Sequence, residues 1–407
     1  MLNDQRAERP WPTLVILALA MGGFAIGTTE FATMGLLPYF AASLGIDAPT
    51  AGHVISAYAL GVVVGAPVIA VLTARMPRRI LLVLLMAMFV IGNGVSALAP
   101  TFGSMMVFRF LSGLPHGAYF GTASMVAMSL VPVNKRTQAV GQVFLGLTVA
   151  TLIGVPLADW LGQAVGWRWS FGVVTILGLM ALTLVALFAP RDVPDPLSSP
   201  LRELGALKLR QVWLTLAIGA IGFGGLFAVY TFLASTLAVV TGVSDGVVPI
   251  VLCVFGFGLT VGNIIVPRFA DRARMPTAGA LLLWSAAALA LYPIAARNIW
   301  TMTIDVFLIG IGGALATVLQ TRLMDVSGKA QALPAALNHS AFNTANALGP
   351  WLGGMAIAAG FGWASTGWIG CLLALGGFAI WIASVALERQ TTLRAGRLGD
   401  LVSEDAA

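Results

Sequence analysis

Of 407 residues, 58% are hydrophobic and only 9% are charged, whereas a soluble domain carries about 25% charged and about 45 to 50% apolar residues. A chain so poor in charge cannot clothe its apolar surface for water. Its net charge of +6 falls between apolar runs, so it is a signal of membrane topology, and a nucleic-acid reading would misplace it.

A hydrocarbon core roughly 30 Å thick needs about 20 apolar residues per helix. Runs of that kind lie near residues 13–40, 50–73, 80–99, 103–131, 137–160, 169–189, 212–240, 247–267, 277–296, 300–321, 335–358 and 365–387. Twelve such runs predict an all-α membrane protein. With a cytoplasmic N-terminus, 19 of the 22 Lys and Arg residues fall on the inside, beginning with Arg6 and Arg9. Arg168 and Arg297 fall outside, and Arg109 lies within the fourth span. Cytoplasmic retention of Lys and Arg then places both termini in the cytoplasm. Arg6 and Arg9 ahead of an apolar run, with Ala18 and Ala20 spaced like a cleavage site, superficially resemble a secretory leader. The run continues past Ala20 into eleven further spans, so a retained first helix is the reading.

An ionisable group near the bilayer centre costs about 2.5 to 3.5 kcal/mol on insertion scales, so the few that occur inside spans are the first candidates for function. Glu30, in Gly27-Thr28-Thr29-Glu30-Phe31, lies roughly 25 Å from the inner end of the first span at about 1.5 Å per residue. Arg109 is about 9 Å into the fourth span from the outer side by the same rise. Burial penalises the carboxylate's charge and a neighbouring guanidinium relieves it, and together they can hold Glu30 where proton uptake is reversible. A static ion pair or helix cap is the plainer alternative. In the same span Gly113, Gly117 and Gly121 recur every fourth residue and permit close helix contact. His116, after Pro115, is read as either a titrating substrate contact or a packing residue.

Farther along, Gly154 and Pro156 interrupt the fifth span, as Gly349 and Pro350 interrupt the eleventh, which bends or weakens both helices. Asp159 and Asp305 lie a few residues from outer ends, where water or headgroups are within reach. The stretch 190–211 is polar and carries Pro194, Pro196 and Pro200, so it reads as a linker between an N-terminal unit (1–189) and a C-terminal unit (212–407). Asn338, His339, Asn343 and Asn346 form a polar stripe that either glues helices together or lines a wet path. The expected substrate path comprises His116, Tyr119, Tyr230, Asn343 and Asn346. Cys253 and Cys371, 118 positions apart in apolar spans, indicate neither disulfide nor metal site.

The halves repeat. Gly65 and Arg75 meet Gly262 and Arg272 at an offset of 197, as Phe110, Leu111 and Gly113 meet Phe307, Leu308 and Gly310. Gly154, Pro156 and Trp167 meet Gly349, Pro350 and Trp363 at 195, 194 and 196. Two six-span halves around a central cavity suit alternating access, one half rocking on the other. No Gly-x-x-x-x-Gly-Lys-Ser/Thr occurs, nor His-Glu-x-x-His, nor Gly-x-Ser-x-Gly, so neither ATP drive nor hydrolysis within this chain has support.

These residues resemble the Major Facilitator Superfamily, and within it the twelve-span drug:proton antiporters of the sugar-efflux and chloramphenicol-efflux branch. Thr28-Thr29-Glu30-Phe31 with Gly35-Leu36-Leu37-Pro38 resembles that branch's first span, whose acid is implicated in proton or cationic-drug coupling. Arg109 with Gly113 and Gly117 resembles the fourth-span arginine motif tied to proton transfer, and Gly154-Val155-Pro156 resembles the antiporter motif. Leu114-Pro115-His116-Gly117 is similar to the sugar-efflux branch more narrowly. Gly65, Arg75, Arg78 and Arg79 resemble the signature of the loop after the second span, except that Ala74 stands where the family has aspartate. The equivalent loop of the other half keeps Asp271-Arg272, so the cytoplasmic gate is expected to lean on that copy.

The resemblance implies a multi-pass inner-membrane protein that exports a small organic compound such as a drug or sugar in exchange for protons. It would work as a monomer in the lipid bilayer, with no cofactor, metal, catalytic residue or nucleic-acid partner. A facilitator or importer of a metabolite, or a non-transporting receptor on the same fold, are the alternatives.

Overall fold

The computed structural model describes residues 12–46, 48–192, 199–244 and 246–404; Arg6, Arg9, Pro194 and Pro196 lie outside them. The described residues form helices and turns, with no strand among them. The long helices are α1 (Pro12–Gly35), α2 (Ala48–Leu72), α3 (Arg78–Ala97), α4 (Phe102–Ser129), α5 (Val133–Ala164), α6 (Trp167–Phe188), α7 (Arg210–Thr241), α8 (Val248–Ala270), α9 (Arg274–Ala295), α10 (Ile299–Val326), α11 (Ala332–Ala356) and α12 (Trp363–Gln390). A short helix, Pro200–Gly205, starts from Ser199, whose hydroxyl accepts from the Arg202 N–H.

Ten of the long helices are both long and apolar enough to cross a membrane. The exceptions are α4 and α11, which are long but too polar. Between them they carry Arg109, Ser112, His116, Asn338, His339 and Asn343, all buried. Large apolar side chains such as Leu72, Ile91, Trp160, Trp300 and Trp351 point outward instead, the inverse of a soluble protein and the pattern of one solvated by lipid.

Glycine explains how tightly the helices approach. A Cβ at Gly61 would lie 2.2 Å from the Phe110 carbonyl oxygen, and one at Gly113 2.3 Å from that of Tyr58, so α2 and α4 touch through backbone. The same contact recurs 197 residues later between α8 and α10, where a Cβ on Gly258 would lie 2.3 Å from the Phe307 oxygen and one on Gly310 2.6 Å from that of Phe255. Gly65 against Leu114 and Gly262 against Ile311 make a third such pair. Each half therefore repeats a packing device of the other, atom for atom.

Contacts between the halves follow the same symmetry: α11 packs against α2 and α4, while α5 packs against α8. Small residues allow it. A Cβ at Gly121 would meet the Ala336 nitrogen at 2.8 Å, and one at Gly141 would meet the Asn263 oxygen at 3.0 Å.

Three helices depart from α geometry in their interiors. α5 widens to a π turn over Ala150–Gly154 just before Pro156, which has no N–H to give to the regular ladder. α7 breaks at Phe223 between Gly222 and Gly224, and α10 tightens to a 3₁₀ turn over Gly312–Ala314. No such widening accompanies Pro350, which lies inside the α-helical stretch Ala332–Ala356 of α11. The two glycines beside these prolines do correspond, since Gly154 lies against Thr28 of α1 and Gly349 against Gly224 of α7.

Candidate functional site

The irregular turns of α5, α7 and α10 converge. Thr151, Phe223 and Gly313 all line one cavity of about 80 Å³, enough for a few water molecules. Its wall comes from both halves of the chain: Glu30, Phe31, His116 and Phe144 from the first, and Phe227, Tyr230, Phe255, His339, Phe342 and Asn343 from the second. Irregular backbone at membrane depth is tolerated where it is buried in protein or borders water.

Glu30 is 9% exposed, and that exposure is toward this cavity. It makes no ion pair with Arg109, contrary to the static pair weighed from the sequence. Successive helical residues point about 100° apart, so Thr29 and Glu30 face different neighbours. Thr29 turns toward α3 and α4, where its hydroxyl accepts from Arg109 Nη1 at 3.0 Å and donates to Asn93 Oδ1 at 2.7 Å. The guanidinium, 1% exposed, lies over the Tyr58 ring at 4.4 Å and near Phe171 at 5.4 Å. Arg109 is thus held by Thr29, the residue before Glu30, and not by the carboxylate itself.

Tyr58 Oη lies 3.0 Å from His116 Nδ1, and His116 Nε2 lies 3.1 Å from His339 Nδ1. The assignment that uses the tyrosine proton has Tyr58 donate to His116, His116 donate to His339, and His339 carry its own proton on Nε2. That nitrogen is buried with no protein partner. His339 stacks on Phe120 at 4.5 Å between centroids and 14° between planes. Asn343 donates to the His339 carbonyl at 3.0 Å, which leaves its buried Oδ1 unpartnered as well. The cavity therefore has an apolar, ring-lined wall interrupted by the Glu30 carboxyl and by the polar side chains of Thr148, Thr151, Tyr230, Asn263, His339 and Asn343.

Of the expected path residues, His116, Tyr230 and Asn343 line this cavity, while Tyr119 and Asn346 do not. Tyr119 points into the first-half core and donates to the Leu19 carbonyl at 2.8 Å. Asn346 lies about one helical turn beyond Asn343 and is only half-buried. Tyr58, Phe144, Phe227, Phe255 and Phe342 were not singled out from the sequence, and His339 and Phe31 were named only within a polar stripe and a first-span motif. The expectation that Asp305 reaches water or headgroups fails: it is 4% exposed, and both carboxylate oxygens are buried without a protein partner. Asp159 is half-buried, with its carboxylate against Gly35. Gly154 is buried and Pro156 exposed.

The gate residues lie at the end of the molecule that carries the short Pro200–Gly205 helix. The side chain of Asp271, 3% exposed, closes the start of α5, accepting from Thr137 N at 2.7 Å and from Gln138 N at 3.1 Å. It joins the halves through a helix N-terminus, where a negative charge is favoured. Arg274 braces the same junction by pairing with Asp325 and donating to Thr137 Oγ1 at 3.3 Å. Arg272 and Arg75 are exposed. Arg78 and Arg79 offer backbone N–H groups to Asp192 at 2.9 and 3.3 Å, and the Arg79 guanidinium also donates to the Ala186 carbonyl. Gly65 packs on the Leu114 backbone within the first half. Asp271→Lys puts a cation where α5 needs an anion. It is expected to leave membrane insertion intact and to cut transport severalfold, and an Asp271→Lys chain exporting at the wild-type rate would contradict that role.

Ten membrane-capable helices around a cavity walled by both halves define a multi-pass membrane carrier. The family model of the Major Facilitator Superfamily matches residues 19–274 and 216–400, and the chain belongs to that superfamily. It is a transporter and not an enzyme. Among relatives, the inner membrane transport protein YdhP of Escherichia coli is 38% identical over 92% of this chain and 96% of its own. A chloramphenicol resistance protein of Streptomyces lividans is 34% identical over 83% and 87%, and a probable sugar efflux transporter of Haemophilus influenzae is 28% identical over 93% and 96%. The crystal structure of the human organic anion transporter MFSD10 (TETRAN) shares the fold, with a TM-score of 0.72 at 15% identity over 92% of this chain and 99% of that one.

Proposed function

We propose that this chain is a proton-coupled exporter of the inner membrane that moves a small organic compound by alternating access. Its twelve long helices all span the bilayer as two six-helix bundles, 1–189 and 212–407, joined by the 190–211 linker, with linker and termini cytoplasmic. The observation that carries the reading is Glu30: a buried carboxyl with no ion-pair partner, opening on a cavity that both bundles wall. Such a group can take a proton or a substrate in turn, and rocking the bundles changes which side it meets. Arg109 is held by the residue before it, Thr29. The substrate is bounded by Phe31, Phe144, Phe227 and Phe342, which suit an apolar ring-bearing compound, while the polar side chains of Tyr230, His339 and Asn343 in the same wall can orient it. Two of the relatives, named for chloramphenicol resistance and for probable sugar efflux, are in keeping with export.

Acid-loaded inverted vesicles test this with a panel of lipophilic and sugar-like compounds. At least one compound is expected to discharge the proton gradient only where the protein is present. Accumulation of a compound with no movement of protons at any gradient would overturn coupling in favour of a facilitator.

A further inference from the structure

The linker supplies the acid that the first gate loop lacks. Asp271, at the end of α8, closes the start of α5 through Thr137 and Gln138. The 197-residue repeat puts Ala74, at the end of α2, in the place of Asp271, and puts the start of α11 in the place of Thr137. The alanine side chain accepts no hydrogen bond. The α11 start is nevertheless capped: Leu333 N donates at 2.9 Å to Oε2 of Glu203, which is 3% exposed and belongs to the Pro200–Gly205 helix. Leu207 anchors this segment on the seam where Ala66 and Ala70 of α2 meet Leu333 and Ala336 of α11.

Ala74, Glu203 and Ala332 line one cavity of about 530 Å³, so the carboxylate and the vacated position face the same space. Asp192 also lines it, but its two oxygens serve Arg78 N and Arg79 N at the start of α3. Burial pushes the Glu203 carboxyl above the usual range, while the Leu333 and Ala332 N–H groups and Arg202 pull it back. A buried carboxylate kept under that penalty is one whose hydrogen bonds matter.

We propose that Glu203 is the positioning residue that stands in for the missing aspartate at Ala74, holding the α2–α11 seam shut from the linker as Asp271 holds the α8–α5 seam from its own helix. The inference rests on the alternating-access reading for its meaning in transport, but its geometry and its test do not. Cutting this contact should loosen one seam of the linker end and leave the other in place. Restoring an acid at position 74 should tighten it again, because the cavity gives an aspartate there room to reach the start of α11.

The test reads thiol accessibility without substrate or gradient, in nanodiscs, on a chain carrying Cys253→Ser and Cys371→Ser. Thr122→Cys reports the gate, being 4% exposed at the inner wall of the 530 Å³ cavity. Ala123→Cys, 0% exposed in the first-half core, reports the fold. Glu203→Gln is expected to speed labelling at Thr122→Cys about three- to tenfold, the range set by removing a charge from a helix cap. Adding Ala74→Asp to Glu203→Gln should bring labelling back toward the parent rate, with Ala123→Cys unlabelled throughout. Unchanged labelling in Glu203→Gln overturns the proposal, as does failure of Ala74→Asp to reverse it, or a parallel rise at Ala123→Cys that marks loss of fold. Because no transport is measured, the result is independent of whether the protein exports anything.

Discussion

Glu30→Gln should reduce proton-driven export to the background of vesicles that lack the protein, while leaving the amount of folded protein unchanged. The amide fills the same space and still hydrogen-bonds, but it cannot exchange a proton. It breaks no ion pair, since Arg109 is held by Thr29 and by the faces of Tyr58 and Phe171. Removing one partner of a buried pair costs about 3 to 5 kcal/mol because the other charge is stranded. Here no ion pair is broken, so abundance and thermal stability should stay close to wild type. Uptake into inverted vesicles at the wild-type rate by Glu30→Gln would remove the carboxyl from the mechanism. A large fall in stability would show instead that Glu30 is structural.

The second large effect separates folding from closure by placing the same side chain at two glycines of one helix. At Gly113 a Cβ would fall 2.3 Å from the Tyr58 carbonyl oxygen, and the offending atom is backbone inside the same half. Overpacking a core costs about 1 to 3 kcal/mol per insertion, and a backbone obstacle cannot swing aside, so Gly113→Val should lose most of its folded protein. At Gly121 the obstacles are the Ala336 nitrogen at 2.8 Å and the Ala335 carbonyl carbon at 3.1 Å, both in the other half. Gly121→Val should fold, hold its melting temperature within a few degrees, and lose transport at least about tenfold, since α4 and α11 could no longer meet. Gel filtration, melting curves and vesicle uptake on both variants decide it. Equal loss of folded protein in the two would refute the division between seam and core.

Several of these features were legible in the sequence because the bilayer makes them expensive. An acid in the first apolar run stands out, and Glu30 does line the cavity. The glycine register that relates 65 to 262 and 113 to 310 was read from the constant offset, and the structure adds 61 and 258 to it and shows what it serves, backbone contact between α2 and α4 and between α8 and α10. Neighbourhoods across the fold were harder to read. His116 and His339 are 223 residues apart, and only the packing of α4 on α11 brings their rings together. The stripe from Asn338 to Asn346 marked a polar helix, yet which member reaches the cavity depends on the rotation of α11, and Asn343 wins over Asn346. Asp305 misled for a related reason: distance from a helix end says nothing about the neighbours that bury it. Glu203 was passed over because polar linkers are read as spacers, although its acid does the work for which the sequence had looked at position 74.

The widened turn at Ala150–Gly154 has a mechanical consequence. On its linker side α5 is gripped by Asp271, and beyond the turn its far arm, Val155–Ala164, packs on α1. A helix with an unbroken ladder would carry a tilt at one grip rigidly to the other, like a rod. The looser ring of bonds at residues 150–154 lets the two arms of α5, Arg136–Val149 and Val155–Ala164, differ in tilt while both rest on α1.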